Sequence, residues 1–278
     1  MTEPGNWEIY ALRYGWQNRQ VSDNFIHTPD LHNGPMPLDY YIWLLRNGSK
    51  EILIDTGFGQ SSLKKRENAS DPKSRTLIRS VDAALRALGS DPDQIEDVVL
   101  THLHYDHAGN LPLFPKAKFH IQEREVMFAT SRHMCHHCIR NAFDVEDILD
   151  MVRAIYAGRV VFHNGDSNIA PGVSVHRVGG HTDGLQMVRV ETQRGPVVLA
   201  SDAMHFYANM KCEDAFPIVF NMGDMADGWR RARALAGDST RIIPGHDPLV
   251  RKHYPALAGS NGETVALHLD QISKSEEF

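Results

Sequence analysis

Four short apolar runs in the chain stop abruptly at histidine or aspartate, and this constrains the fold more than any other feature. Val98-Val99-Leu100 leads into Thr101-His102-Leu103-His104-Tyr105-Asp106-His107-Ala108-Gly109-Asn110, and Val173 to Val178 leads into Gly179-Gly180-His181-Thr182-Asp183-Gly184. Val197 to Ala200 runs into Ser201-Asp202, and Arg241 to Ile243 into Pro244-Gly245-His246-Asp247. Imidazoles and carboxylates at the ends of buried strands add nothing to a core and cost desolvation if buried unpaired. The pattern calls for a fold in which separate strand ends converge on one rim and share a ligand.

Neutral imidazole and carboxylate suit zinc and its first-row neighbours iron, cobalt and manganese. His102 and His104 lie two apart and point the same way in an extended segment, while Asp106 and His107 turn toward a second ion. Two ions need about three protein ligands each and a shared group, a demand met by His102, His104, Asp106, His107, His181, Asp202 and His246.

The elements follow from periodicity. Trp7 to Tyr14 and Leu38 to Arg46 read as strands, Asn47-Gly48 as a hairpin turn, and Glu51 to Ile54 as the returning strand. Gln60 to Arg75 reads as an exposed loop, and Leu77 to Leu88 as an amphipathic helix capped by Gly89. Asp97 to Leu100, Lys116 to Ile121, Val160 to Phe162, Val173 to Val178, Leu185 to Val190, Val197 to Ala200 and Arg241 to Ile243 are further strands. Helices are expected over Glu123 to Ala129, Val145 to Ala157, and Met225 to Ala236 with Asp224 as N-cap. This order predicts an α/β chain of sheets covered by helices, with no linker and one domain over 1–278.

Composition narrows the partners. A net charge of −6, with Lys64-Lys65-Arg66 as the single tight basic run, argues against nucleic acid and for a small-molecule substrate. No stretch reaches the roughly 18 apolar residues of a membrane helix, and Met1 to Tyr10 lacks the features of a signal peptide. With three cysteines and no disulfide framework, the expectation is a cytoplasmic protein, with a homodimer as the commonest assembly.

Other residues read more plainly. His133-Met134-Cys135-His136-His137-Cys138 is too crowded for a structural zinc site and is expected to lie over the active site, its imidazoles lining a pocket or facing water. Met127, Phe128, Met134, Phe143, Trp229 and Leu235 read as core, and Phe216 to Phe220 as buried strand or loop near the site. His27, His32, His120, His163, His176, His253 and His268 have no partner spacing and read as surface or structural.

In combination, these motifs resemble the metallo-β-lactamase superfamily over about residues 38 to 250. The resemblance implies an αββα sandwich with a two-metal site at one edge. It implies that His102, His104 and His181 hold one ion, that Asp106, His107 and His246 hold the other, and that Asp202 bridges them. Asp55 then orients a ligand imidazole or loop. Within the superfamily the chain is most similar to the N-acyl homoserine lactone lactonases. Those lactonases typically carry tyrosine three residues after the bridging aspartate, where this chain has His205, with Tyr207 two further on. The implied chemistry is hydroxide attack on a lactone, with His205 or Tyr207 donating to the oxyanion and Asp106 passing a proton to the leaving oxygen. The same site suits a thioester, cyclic amide or phosphoester hydrolase, and less well a one-iron persulfide dioxygenase. A non-catalytic binding protein is expected to have lost ligands, and none is missing.

Overall fold

The structure is a computed structural model describing residues 6–27, 33–66 and 75–272. Its first sheet holds β1 (Glu8–Gln17), β2 (Leu38–Asn47), β3 (Lys50–Ile54), β4 (Arg75–Leu77), β5 (Asp97–Val99), β6 (Lys118–Gln122) and β7 (Val160–His163). The second holds β8 (Ser167–Ala170), β9 (Val173–Arg177), β10 (Gln186–Thr192), β11 (Gly195–Ser201) and β12 (Ile242–Pro244), and β13 (Thr264–Ala266) returns to the first. The strand orders are β13-β1-β2-β3-β5-β6-β7, with β4 also on β1, and β12-β11-β10-β9-β8.

Period-two alternation explains how the sheets stack. On β2, Tyr40, Ile42 and Leu44 face one apolar cluster while Tyr41, Trp43 and Leu45 face another, so the continuous run is a strand buried on both sides. The inner cluster packs Trp43, Ile52 and Val99 against Val175, Val188, Val197 and Leu199 of the second sheet. Outside the first sheet lie α1 (Gln60–Arg66), α2 (Val81–Arg86), α3 (Tyr105–Ala108), α4 (Glu123–Ala129), α5 (His137–Arg140) and α6 (Val145–Tyr156). Val81, Leu85 and Met151 are among the residues that join these helices to the outer core. Beyond the second sheet, Met225, Trp229 and Ala232 of α8 (Met222–Ala236) cover Met187, Val198 and Ala200. The result is helix, sheet, sheet, helix. The chain also forms α7 (Tyr207–Cys212) and α9 (Leu249–His253).

Direction matters as much as layering. β3, β5, β6 and β7 are mutually parallel, β12 is parallel to β11, and β9 runs with β11 because both are antiparallel to β10. The carboxyl ends of β3, β5, β9, β11 and β12 supply the clustered residues, as expected where open sheets place their ligands.

Several expectations are corrected. Residues 60–66 form α1 rather than loop, 75–77 form β4, and residues 67–74 lie outside the described residues, as does His32. The helix expected from Leu77 starts at Val81, because Leu77 pairs with Gly15 in the sheet. The last long helix begins at Met222, where the Asn221 side chain accepts the N–H groups of Gly223 and Asp224; the cap is Asn221, not Asp224. β8, β13, α7 and α9 carried no signal strong enough to be read, being short and irregular in period.

Candidate metal centre

The carboxyl end of β5 leads into an extended segment carrying His102 and His104, and then into α3, which turns Asp106 and His107 toward the same centre. His181 follows β9, Asp202 follows β11 and His246 follows β12. Donor atoms of these residues form close buried groups: His102 with His104 and His181, His102 with His107 and Asp202, and Asp106 with His107 and His246.

Asp202 sits between the two halves. Its Oδ2 lies 3.2 Å from His181 Nε2 and 3.9 Å from His102 Nε2. Its Oδ1 lies 3.4 Å from His107 Nε2 and 3.1 Å from His246 Nε2. One carboxylate thus offers one oxygen to each trio.

The outer faces of His102, His107, His181 and His246 are fixed. Thr101 donates its hydroxyl to Asp55 Oδ2 at 2.9 Å, so its oxygen accepts from His102 Nδ1 at 3.1 Å. Asp55 Oδ2 also accepts from His107 Nδ1 at 2.8 Å, and the Asp39 carbonyl accepts from His246 Nδ1 at 2.8 Å. The Ile218 carbonyl accepts from His181 Nδ1. With the proton held on Nδ1, every one of these rings turns an Nε2 lone pair inward, the arrangement a metal ligand requires. His107 Nε2, His181 Nε2 and Asp202 Oδ1 are buried without a protein partner, and His102 Nε2 faces His104 Nδ1 at 3.1 Å. A cation among them satisfies all of these groups, so the residues fit a divalent ion pair.

Electrostatics agrees. Burial and neighbouring imidazoles hold His102 and His104 well below the ordinary histidine range, and burial lowers His181, which leaves neutral ligands. Burial also opposes charge on His107, yet the carboxylates of Asp202, Asp106 and Asp55 outweigh it and push its pKa up to about 10. A positive charge belongs at that position, and a metal ion can take the place of the proton.

The backbone is shaped for close approach. Asp55 and Ser201 adopt φ of 61° and 46°, sparsely populated conformations for residues with side chains, at the ends of β3 and β11. A Cβ on Gly245 would stand 2.6 Å from Asp202 Oδ1, so only glycine fits there.

The two further sequence candidates separate. His205 lines the small cavity of about 70 Å³ at the cluster, but its Nε2 is committed to Asp202 Oδ2 at 2.9 Å and its ring stacks on Phe216 at 3.4 Å. Tyr207 is not brought to the cluster. It begins α7, packs with the inter-sheet core and lies 5.7 Å from the His253 ring, so the expectation that it donates to an oxyanion is corrected. His133 to Cys138 forms a turn and the start of α5 with both cysteines exposed, and joins none of the close donor groups among the described residues. Met134 and His137 of this segment line a second cavity of about 810 Å³. Phe128 and Phe143 are core as expected, whereas Met127 is exposed. Phe216 to Phe220 forms a loop near the site, and the expected burial holds for Phe216 but not for Pro217, Ile218 and Phe220, which are exposed.

Sequence reading missed Glu125. Fully buried on α4, its carboxylate accepts Leu103 N–H at 2.9 Å, Thr182 Oγ–H at 2.6 Å and Gly184 N–H at 3.0 Å, which ties the His102–His104 segment to the His181 loop. It also missed Tyr105, whose hydroxyl lies 2.9 Å from that of Tyr40 and accepts from Arg75 Nε at 2.9 Å. Tyr105 stands between two candidate ligands, which was the one available signal.

The Metallo-beta-lactamase superfamily model matches residues 36–246. An N-acyl homoserine lactonase of a Bacillus species is 29% identical over 191 residues, covering 64% of this chain and 70% of that protein. The N-acyl homoserine lactonase AiiB of Agrobacterium fabrum is 37% identical over 134 residues, 45% of this chain and 46% of that one. Among solved structures, a quorum-quenching N-acyl homoserine lactone hydrolase superposes with a TM-score of 0.73 at 23% identity, covering 92% of this chain and 98% of its own. AidC, a dizinc quorum-quenching lactonase, gives 0.68 at 17% identity, over 88% and 89%. With the family model spanning most of its length and a four-layer fold that carries the family's strand-end histidines, the chain belongs to the metallo-beta-lactamase superfamily.

Proposed function

We propose that the protein is a two-ion hydrolase that opens a lactone ring, with N-acyl homoserine lactones as the first substrate class to test. The observation that carries this reading is the divided carboxylate of Asp202, one oxygen toward His102 and His181 and the other toward His107 and His246. His102, His104 and His181 would hold one ion, and Asp106, His107 and His246 the other. Zinc suits these donors best, with iron, cobalt and manganese sharing the same preferences. Such a pair supplies Lewis acidity and a water acidified to near neutral pH.

The protein's own groups do the rest. Asp55, Thr101 and the carbonyls of Asp39 and Ile218 hold the Nδ1 atoms of His107, His102, His246 and His181 and so orient these rings. Asp106 lines the cavity and can carry a proton to the departing ring oxygen, giving a hydroxy acid. His205 anchors Asp202 from the cavity side. The names of the lactonase relatives support the ring-opening assignment. Arg66 and Arg75 at the cavity favour one second reading, phosphoester hydrolysis with the same ions.

No described helix is long and apolar enough to cross a membrane. Three exposed, unbridged cysteines suit a reducing cytoplasm, and a homodimer is the assembly to test. The deciding experiment quantifies metal in the purified protein and assays lactones of varied ring size and acyl length beside thioester and phosphodiester substrates. Ring opening confined to lactones supports the proposal, and turnover of phosphodiesters alone overturns it.

A further inference from the structure

Helix α6 carries apolar residues on two faces. Met151 and Ala154 are buried in the outer core, and Ile148 and Ile155 pack partly against it. A second row, Val145, Leu149, Val152 and Tyr156, recurs at spacings of four, three and four. At 3.6 residues per turn these four fall within about 60° of one another around the helix. Val145 is 65% exposed, Leu149 41% and Tyr156 90%, while Val152 is half-buried. The longer α8, by contrast, exposes only Met222 among its large apolar residues. Single exposed apolar side chains are ordinary, whereas a continuous stripe marks a contact.

The stripe's own symmetry names its occupant. Alternating steps of four and three are those of a seam between paired helices. Turned end for end about the point between Asp150 and Met151, the stripe meets its own complement: Val145 stands opposite the partner's Tyr156, and Leu149 opposite the partner's Val152. The polar flank agrees. Glu146 and Arg153 lie seven apart on one side of the stripe, and the same rotation brings Glu146 beside the partner's Arg153 at both ends. Glu146 is exposed and has no ionic partner among the described residues. Arg153 gives Nη1 to Asp150 at 2.6 Å and keeps Nε and Nη2 for a second carboxylate. A parallel pair would bring Glu146 no cation. Self-complementarity of this kind is what a two-fold homodimer requires.

We propose that α6 pairs antiparallel with α6 of a second copy of this chain, about a two-fold axis that crosses the helices between Asp150 and Met151. The proposal rests on the homodimer reading above and gives that dimer its surface. Val145 also lines the cavity of about 810 Å³, which shares Arg66 and Asn141 with the small cavity at the metal centre. The second copy therefore stands beside the larger cavity.

Sedimentation equilibrium of the wild type, Leu149→Lys and Tyr156→Lys tests the seam, with circular dichroism and metal content checking the fold of each. Tyr156 is so exposed that its replacement leaves the fold intact. The wild type is expected to be a dimer, and either variant should raise its Kd about tenfold or more. Glu146→Lys and Arg153→Glu each set like charges together and should weaken the dimer about two- to fivefold, while the double variant exchanges the charges and should recover the wild-type Kd. A monomeric wild type overturns both the homodimer reading and this surface. A dimer indifferent to Leu149→Lys and Tyr156→Lys rejects the surface and leaves the homodimer reading standing, and a double charge reversal without rescue rejects the antiparallel register. Wild-type monomers that bind phosphatidylcholine vesicles, and lose that binding in Tyr156→Lys, would assign the stripe to a lipid surface and overturn the proposal.

Discussion

The carboxylate of Glu125 accepts the backbone N–H of Leu103 at 2.9 Å, gripping the one residue that separates His102 from His104. The same carboxylate holds Thr182 and Gly184 beyond His181, so one buried side chain sets the spacing of three candidate ligands on two loops. Burial raises its pKa to about 7 against the pull of those three hydrogen bonds.

Glu125→Gln places an amide NH2 against donors that now meet oxygen. One donor is left facing another, at a cost of about 1–3 kcal/mol of stability. Metal affinity should fall about 10–100-fold, as for other groups that orient ligands. Thermal unfolding and metal content by mass spectrometry check this, and a variant matching the wild type in both would reject the role.

Tyr207→Phe separates the structural from the sequence-based view of that residue. Its hydroxyl is buried with no hydrogen-bond partner, in the core between the sheets. Removing an unsatisfied hydroxyl should leave stability unchanged or slightly higher. An oxyanion donor would cost about 10²–10³ in kcat. The expected change in kcat/KM is under about threefold, and a loss on the oxyanion-donor scale would return Tyr207 to the site.

His163 supplies a pH dependence independent of the metal centre. Its ring stacks on His120, with Nε2 3.2 Å from His120 Nδ1, while His120 Nε2 meets Asp97 at 3.1 Å. Burial, then His120, lowers the His163 pKa from 6.5 to about 4. In that window the unfolded chain binds the proton and the folded chain does not, so stability falls as pH drops from about 6.5 to about 4. Urea midpoints at pH 7.5, 6 and 5 should decline less in His163→Gln than in the wild type; parallel declines would rule the group out.

The clustered histidines and aspartates were legible because their signal is local: an apolar run, then His or Asp, at four places. β2 was legible as a strand from its aromatic and β-branched content, and its burial on both faces emerged only from the stacking of the two sheets. The supports were not, since the carbonyls of Asp39 and Ile218 and the carboxylate of Glu125 reach the centre from segments with no ligand motif. Tyr207 misled for a physical reason. Two residues beyond His205 in an extended segment it would share that residue's direction, but the chain turns into α7 at Tyr207 and carries the ring away. Arg66 and Arg75 are nine positions apart, and their joint approach to Tyr105 is a tertiary fact.

Asp202→Asn tests the centre itself. Asp202 is held well below the usual carboxylate range because His246, His107 and His205 together outweigh its burial. An amide keeps the shape but removes the charge and one acceptor oxygen, leaving His107 and His246 or His102 and His181 without their shared anion. Bound metal should drop from two ions per chain to one or none, and kcat/KM should fall by more than the roughly 100-fold typical of an outer supporting residue. Chelation of the wild type should reproduce the loss and lower the melting temperature, since an ion bound to the folded state alone stabilises it by mass action. Restoring zinc should recover the wild type and not the variant. An Asp202→Asn protein that retains two ions and full turnover would exclude a bridging role and, with it, the two-ion assignment.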